Sequence, residues 1–224
     1  MVINCFIHTP IVAKNLCPSK CTHIARSKAK GLVLWIERAG SLPLTLFFCH
    51  NRMYESASGN LIVKVLNRYV PRWETLYLHQ RHKYSYFGTR WNPLDMFCFE
   101  KWSSLQRMYG VSPHETIPWA QLTHLKLYCP HYAQVADIFE GCRKLVWLSL
   151  PIIATPLSFN MPASPIGLHH LSFLSFSTKH VSAIIQLVSL PSLRAISICD
   201  LSDLDRQSFD SLLRFFTRSA CTLD

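Results

Sequence analysis

Between Leu122 and Leu150 the apolar residues follow one pattern twice. Leu122, Leu125 and Leu127 spell L-x-x-L-x-L, residues 132–142 carry helical spacing, and Leu145, Leu148 and Leu150 spell the pattern again. Two leucines spaced by two point to one face of a strand, so that face needs a helix packed over it to stay dry. The same pattern stands at Trp73-x-x-Leu76-x-Leu78, Leu171-x-x-Leu174-x-Phe176 and Leu193-x-x-Ile196-x-Ile198. Trp102-x-x-Leu105 reads as a degraded copy, because Arg107 occupies the slot of the third apolar residue.

First positions at 73, 102, 122, 145, 171 and 193 are separated by 29, 20, 23, 26 and 22 residues, all within the range of about 20–29 used by leucine-rich repeats. The expected fold is therefore an α/β leucine-rich-repeat solenoid. Parallel strands are expected near 74–79, 123–128, 146–150, 172–177 and 194–199 in one concave sheet, with short helices outside at Tyr132–Cys142, Val181–Ser189 and Gln207–Arg218. Ahead of these, Ser27–Ala39 reads as a helix stopped by Gly40, Ser41–Cys49 as a strand with Pro43 near its entry, and Asn60–Val70 as a helix ended by Pro71. Residues 80–101 form a polar, aromatic-rich connection longer than a usual return. Residues 1–25 show neither period and are expected to be irregular, leaving 26–224 as one degenerate repeat domain. Ser219–Asp224 stands where another strand should begin, so the domain reads as truncated at that end.

Composition narrows the function classes. With 49% hydrophobic residues over 224 positions the chain is expected to fold around a core. Thirteen prolines against seven glycines argue against a glycine-rich phosphate-binding loop. The net charge of +10 is uneven: residues 1–38 carry six Lys/Arg against one acid, 39–107 nine against four, and 108–224 eight against eight. These charges are scattered singly, which disfavours nucleic acid as the partner. Nine cysteines, an odd number, without a signal peptide ahead of them point to a reduced, intracellular protein, cytoplasmic or nuclear. Cys129, Cys142, Cys199 and Cys221 are read as small buried apolar residues. No apolar run is long enough to span a bilayer.

Chemistry-bearing motifs are few. Cys17-x-x-x-Cys21-x-His23, with Cys5 and His8 nearby, offers metal-ligand types at a spacing that matches no common structural site, so no metal is expected. His169 and His170 precede a strand without local partners. No nucleotide-binding, nucleophile-elbow or metalloprotease motif is present, and neither an enzyme nor a cofactor is expected. The better candidates are the side chains that alternate with the leucines and so face the open, concave side of the strands. These are Thr75, Tyr77 and His79, then His124, Lys126 and Tyr128, then Trp147 and Ser149, then Phe173 and Ser175, then Ala195 and Ser197. Aromatic and basic side chains of this kind are enriched where proteins bind proteins.

Four segments carry a family resemblance: 34–44 (LWIERAGSLPL), 70–76 (VPRWETL), 117–125 (IPWAQLTHL) and 190–194 (LPSLR). In that order they resemble mushroom-type (basidiomycete) fungal F-box proteins with degenerate leucine-rich repeats, over residues 26–224. The resemblance implies a substrate-recognition part of a ubiquitin-ligase adaptor: an N-terminal three-helix F-box docks on the adaptor subunit of a cullin ligase and the repeats hold the protein to be ubiquitinated. Residues 1–25 have no F-box-like opening, so the cullin-ligase adaptor subunit is expected as a partner only if a longer chain carries the F-box. Two readings stay open, a protein-binding module and a solenoid remnant or gene-model fragment without a maintained partner.

Overall fold

The computed structural model describes residues 3–8, 18–50, 64–80, 101–111, 117–127, 132–150, 164–177, 181–199 and 206–221. The chain forms an α/β fold of parallel strands in two compact units, Met1–Leu105 with Thr116–Pro118, and Gln106–Glu115 with Trp119–Asp224.

In the first unit β1 (Ile3–His8), β2 (Leu44–His50) and β3 (Trp73–Gln80) lie side by side in that order, all parallel. Helix α1 (Pro18–Arg38) connects the first two and buries Ala29 and Ile36. Its end follows from Gly40, whose φ of 57° costs glycine least and lets its N–H return to Glu37 O at 3.0 Å. The Arg72 guanidinium, from the 3-10 turn Val70–Arg72, donates to Ile36 O at 2.9 Å and Leu42 O at 3.1 Å. A cation thus sits on the carbonyl end of α1, where helices favour positive charge. Leu44, Leu46, Leu76 and Leu78 are all buried, and the Trp73 indole N–H is satisfied by Leu66 O at 3.1 Å. Residues 1–25, expected to be irregular, instead hold β1 and the first turns of α1. The prolines at 10 and 18 masked the short apolar run Ile3–Ile7 and the helix start, since Pro18 is tolerated in a first turn.

The second unit contains β4 (Arg107–Val111), β5 (His124–Leu127), α2 (Tyr132–Gly141), β6 (Trp147–Leu150), β7 (Ile166–Gly167), β8 (Phe173–Ser177), α3 (Val181–Leu187), β9 (Val188–Ser189), β10 (Ala195–Cys199) and α4 (Arg206–Ser219). Strands β4, β5, β6, β8 and β10 are parallel neighbours in that order, while β7 and β9 form a separate parallel pair beside the helices. The register aligns Met108, Leu125, Leu148, Leu174 and Ile196 across the sheet. The first four of these are buried, with Leu127, Leu150 and Phe176. The strands expected at 123–128, 146–150, 172–177 and 194–199 are therefore present and parallel, each within a residue or two of its expected bounds.

One backbone device precedes each of these strands. A tight turn closes with N–H to C=O bonds from Leu122 to Trp119, Leu145 to Cys142, Leu171 to Leu168 and Leu193 to Leu190, at 3.1–3.3 Å. A single carbonyl then accepts two N–H groups from the segment that follows: Gln106 O from Thr123 and His124, Thr123 O from Val146 and Trp147, Val146 O from Ser172 and Phe173, and Ser172 O from Arg194 and Ala195, at 2.8–3.1 Å. A carbonyl has two lone pairs and here both are used. The Thr123 and Ser172 hydroxyls add a third donor at 3.2 Å.

This device corrects the phase of the degraded copy. Leu105 N–H closes the same turn on Trp102 O, and Met108 pairs with Leu125, so the pattern there is Leu105-x-x-Met108, not Trp102-x-x-Leu105. Arg107 is an outward residue of β4, a strand not expected from the sequence. Gly110 takes the last leucine slot with φ 78° at a register shift, a bulge that sets Val111 opposite Leu127. The spacing to the next copy shrinks to 17 residues, below the usual range.

Helix α4 buries Leu212 and Phe215 while Leu213 is 51% exposed. Its Arg218 guanidinium donates to Ile185 O and Val188 O, and its Ser219 hydroxyl accepts Leu190 N–H, which ties the helix to the turn ahead of β10. Leu148→Ala should destabilise by roughly 2–5 kcal/mol, whereas the same deletion at Leu213 should change stability by about 0.5 kcal/mol or less. Denaturant titration of the two variants checks this, and equal midpoints would reverse the burial assignment.

Candidate functional site

The side chains that alternate with the buried row form two ordered lines on the opposite face of the second unit. One runs Arg107, His124, Trp147, Phe173 and Ala195; the other runs Tyr109, Lys126, Ser149, Ser175 and Ser197. Parallel strands about 4.8 Å apart bring in-register rings within stacking reach. Trp147 lies over Phe173 with centroids 5.5 Å apart and planes 4° from parallel, and His124 stacks on its other side at 6.5 Å and 21°. Tyr109 reaches across β5 to meet Trp147 at 5.7 Å, tilted by 57°. Trp147 is thus the centre of a four-ring cluster whose members are all half-buried.

Electrostatics divides the lines into two ends. Arg107 and Lys126 place fixed positive charge on β4 and β5, while β8 and β10 carry Ser175, Ser197 and Ala195. His124 has its Nδ1 2.9 Å from Thr123 Oγ1. Burial first, and the neighbouring Arg107 charge second, hold its pKa below the ordinary 6.5, so the ring is neutral at pH 7 and offers a stacking face. Cys142, at the turn ahead of β6, is buried and its thiol is pushed up to about 12 by desolvation. It is packing material and carries almost no thiolate near neutral pH.

Of the residues singled out from sequence, the structure brings His124, Lys126, Trp147, Ser149, Phe173, Ser175, Ala195 and Ser197 onto this face. Two were expected to be open and are not. Ser149 is only 7% exposed, because its short side chain sits low in the pleat between its register partners Lys126 and Ser175. Thr75 is 4% exposed, paired with the equally buried Thr45. Tyr77 lies in the first unit, stacked on Phe47 at 4.3 Å and 2°. His79 lies in β3, where only its backbone is described, and Tyr128 lies outside the described residues. Arg107 and Tyr109 were missed, since the phase error hid β4; the signal was Leu105-x-x-Met108, the same spacing as Leu122-x-x-Leu125. His169 and His170 are both exposed, and among the described residues no cluster of His, Cys, Asp and Glu could hold a metal ion.

Compared with models of protein families, with curated proteins and with solved structures, the chain has no match in any of the three. Among the described residues no helix is long and apolar enough to cross a membrane.

The His124 environment makes a prediction with a definite sign. Because the folded ring resists the proton that the unfolded ring accepts, the unfolded state takes up more protons as pH falls below about 6.5, and stability from this group declines toward acid. A His124 NMR titration should show a midpoint below 6.5, and Arg107→Gln should raise it only part of the way because burial is the larger cause. A wild-type midpoint at or above the ordinary value would contradict the buried placement.

Proposed function

We propose that the chain is a leucine-rich-repeat solenoid that works as a protein-binding module rather than an enzyme, with the face opposite the leucines as its docking surface. The observation that carries this is the half-buried ring cluster centred on Trp147. Tryptophan, tyrosine and arginine are the side chains that binding hot spots enrich, and Trp147, Tyr109 and Arg107 share this sheet face. The turn and carbonyl pattern repeated before successive strands supports the repeat architecture.

The resemblance to F-box proteins extends this proposal to the substrate-recognition part of a ubiquitin-ligase adaptor, acting inside the cell, with the bound protein as the substrate. Docking on the cullin-ligase adaptor subunit then requires an F-box in a longer chain. In the present chain α1 turns Ala29 and Ile36 into its own unit, so these two side chains are not open to an adaptor groove.

Affinity capture from a basidiomycete lysate tests the module reading. Wild-type chain should retain specific proteins that a folded Trp147→Ala/Phe173→Ala variant loses; recovery of only chaperones by both would favour the solenoid-remnant reading. Calorimetric titration of the adaptor subunit into this chain should give no binding, and micromolar or tighter affinity would overturn the adaptor part of the proposal.

A further inference from the structure

Every described outward position of β4, β5, β6, β8 and β10 is an aromatic, basic, small or hydroxyl residue, and none carries a carboxylate. This holds although the half of the chain from residue 108 onward has as many acids as bases. Among these described outward positions the fixed charge beside the ring cluster is therefore positive only. We infer that the face binds an extended acidic peptide, with one apolar side chain against Trp147 and Phe173 and a carboxylate at the Arg107–Lys126 end. The inference rests on the protein-binding proposal and specifies its ligand.

Geometry fixes the peptide's spacing. Lys126 is one strand over from Trp147 and two residues along, and Arg107 is two strands over, which puts the charges roughly 8–10 Å from the ring by strand spacing and rise. In an extended chain that distance separates side chains two or three residues apart. The motif is thus an apolar residue with Asp or Glu two or three positions away. Trp147 has both faces taken by His124 and Phe173, and so presents a rigid ring edge, beside that of Phe173, to proline, leucine or an aromatic residue at little entropic cost. Ser175 supplies a hydroxyl for the peptide backbone on the uncharged side.

Stacked rings near cations also suit single-stranded nucleic acid. A phosphodiester chain, however, needs positive charge along its whole path past the rings, and here β8 and β10 offer none among their described outward positions. The charge is gathered at one end, as a single carboxylate cluster requires.

The full chain should be used to select from a displayed library of random linear peptides, with counter-selection on Trp147→Ala. Recovered sequences should share an apolar residue with an acid two or three positions away. A synthetic peptide of that kind should weaken by at least about tenfold on Trp147→Ala or Lys126→Glu. Trp147→Phe should keep most of the affinity, and Lys126→Glu should gain a peptide in which the acid is replaced by lysine. Far-ultraviolet circular dichroism of each variant guards against loss of fold. Trp147-dependent peptides that are basic or uncharged, an unchanged affinity on Lys126→Glu, or tighter binding of an oligothymidylate than of any peptide would overturn the acidic-peptide inference while leaving a binding face. Failure to recover any Trp147-dependent ligand, peptide or oligonucleotide, would remove the inference and count against the protein-binding proposal as well.

Discussion

Single backbone carbonyls, each shared by two N–H groups of the segment that follows, hold the second unit in register. Gln106, Thr123, Val146 and Ser172 play this part in turn. Each hydrogen bond contributes a net of only about 0.5–1.5 kcal/mol. Their larger effect is steric: once two adjacent N–H groups converge on one oxygen, the next strand cannot slide by a residue without losing both bonds and inverting its faces. The tight turn ahead of each strand delivers the chain to that oxygen, and the leucine that ends the turn is buried beneath it. Sequence pattern, turn and register are therefore one constraint.

From that register the division of labour follows. One face collects Met108, Leu125, Leu148 and Leu174 and is dry; burial of such side chains is worth roughly 1.5–3 kcal/mol each and sets the stability of the unit. The opposite face inherits whatever alternates with the leucines. Because the leucine face supplies the main apolar burial, the opposite face can carry half-buried rings, and it carries four of them around Trp147. Their order along the sheet, cations first and hydroxyls last, is fixed by the same pairing that aligns the leucines.

Period two and the first leucine were enough to read four strands of the second unit and the three helices α2, α3 and α4 from the sequence, because those copies keep every apolar slot. β4 was not legible, since methionine and glycine stand in its leucine slots and an arginine sits where the wrong phase placed a core residue. Only the pairing of Met108 with Leu125 identifies the phase. In the first unit Leu44, Leu46 and Phe48 pair with Trp73, Leu76 and Leu78 but run one residue short of the full pattern, and the chain absorbs the deficit as the register shift between Leu44 and Thr45. The site was half legible. Alternation gave the facing of His124, Trp147 and Phe173, but it could not say that Ser149 and Thr75 would be sheltered by their neighbours, because exposure of a small side chain is set by residues on adjacent strands.

Parallel pairing in this register gathers one ring cluster on the face opposite the leucines. Aromatic nuclear Overhauser effects in the folded chain test it most directly. Cross-peaks are expected from the Trp147 indole to the rings of His124, Phe173 and Tyr109, together with methyl cross-peaks from Leu148 to Leu125 and Leu174. Cross-peaks from the Trp147 indole to the Leu125 or Leu174 methyls, in place of those ring contacts, would contradict it.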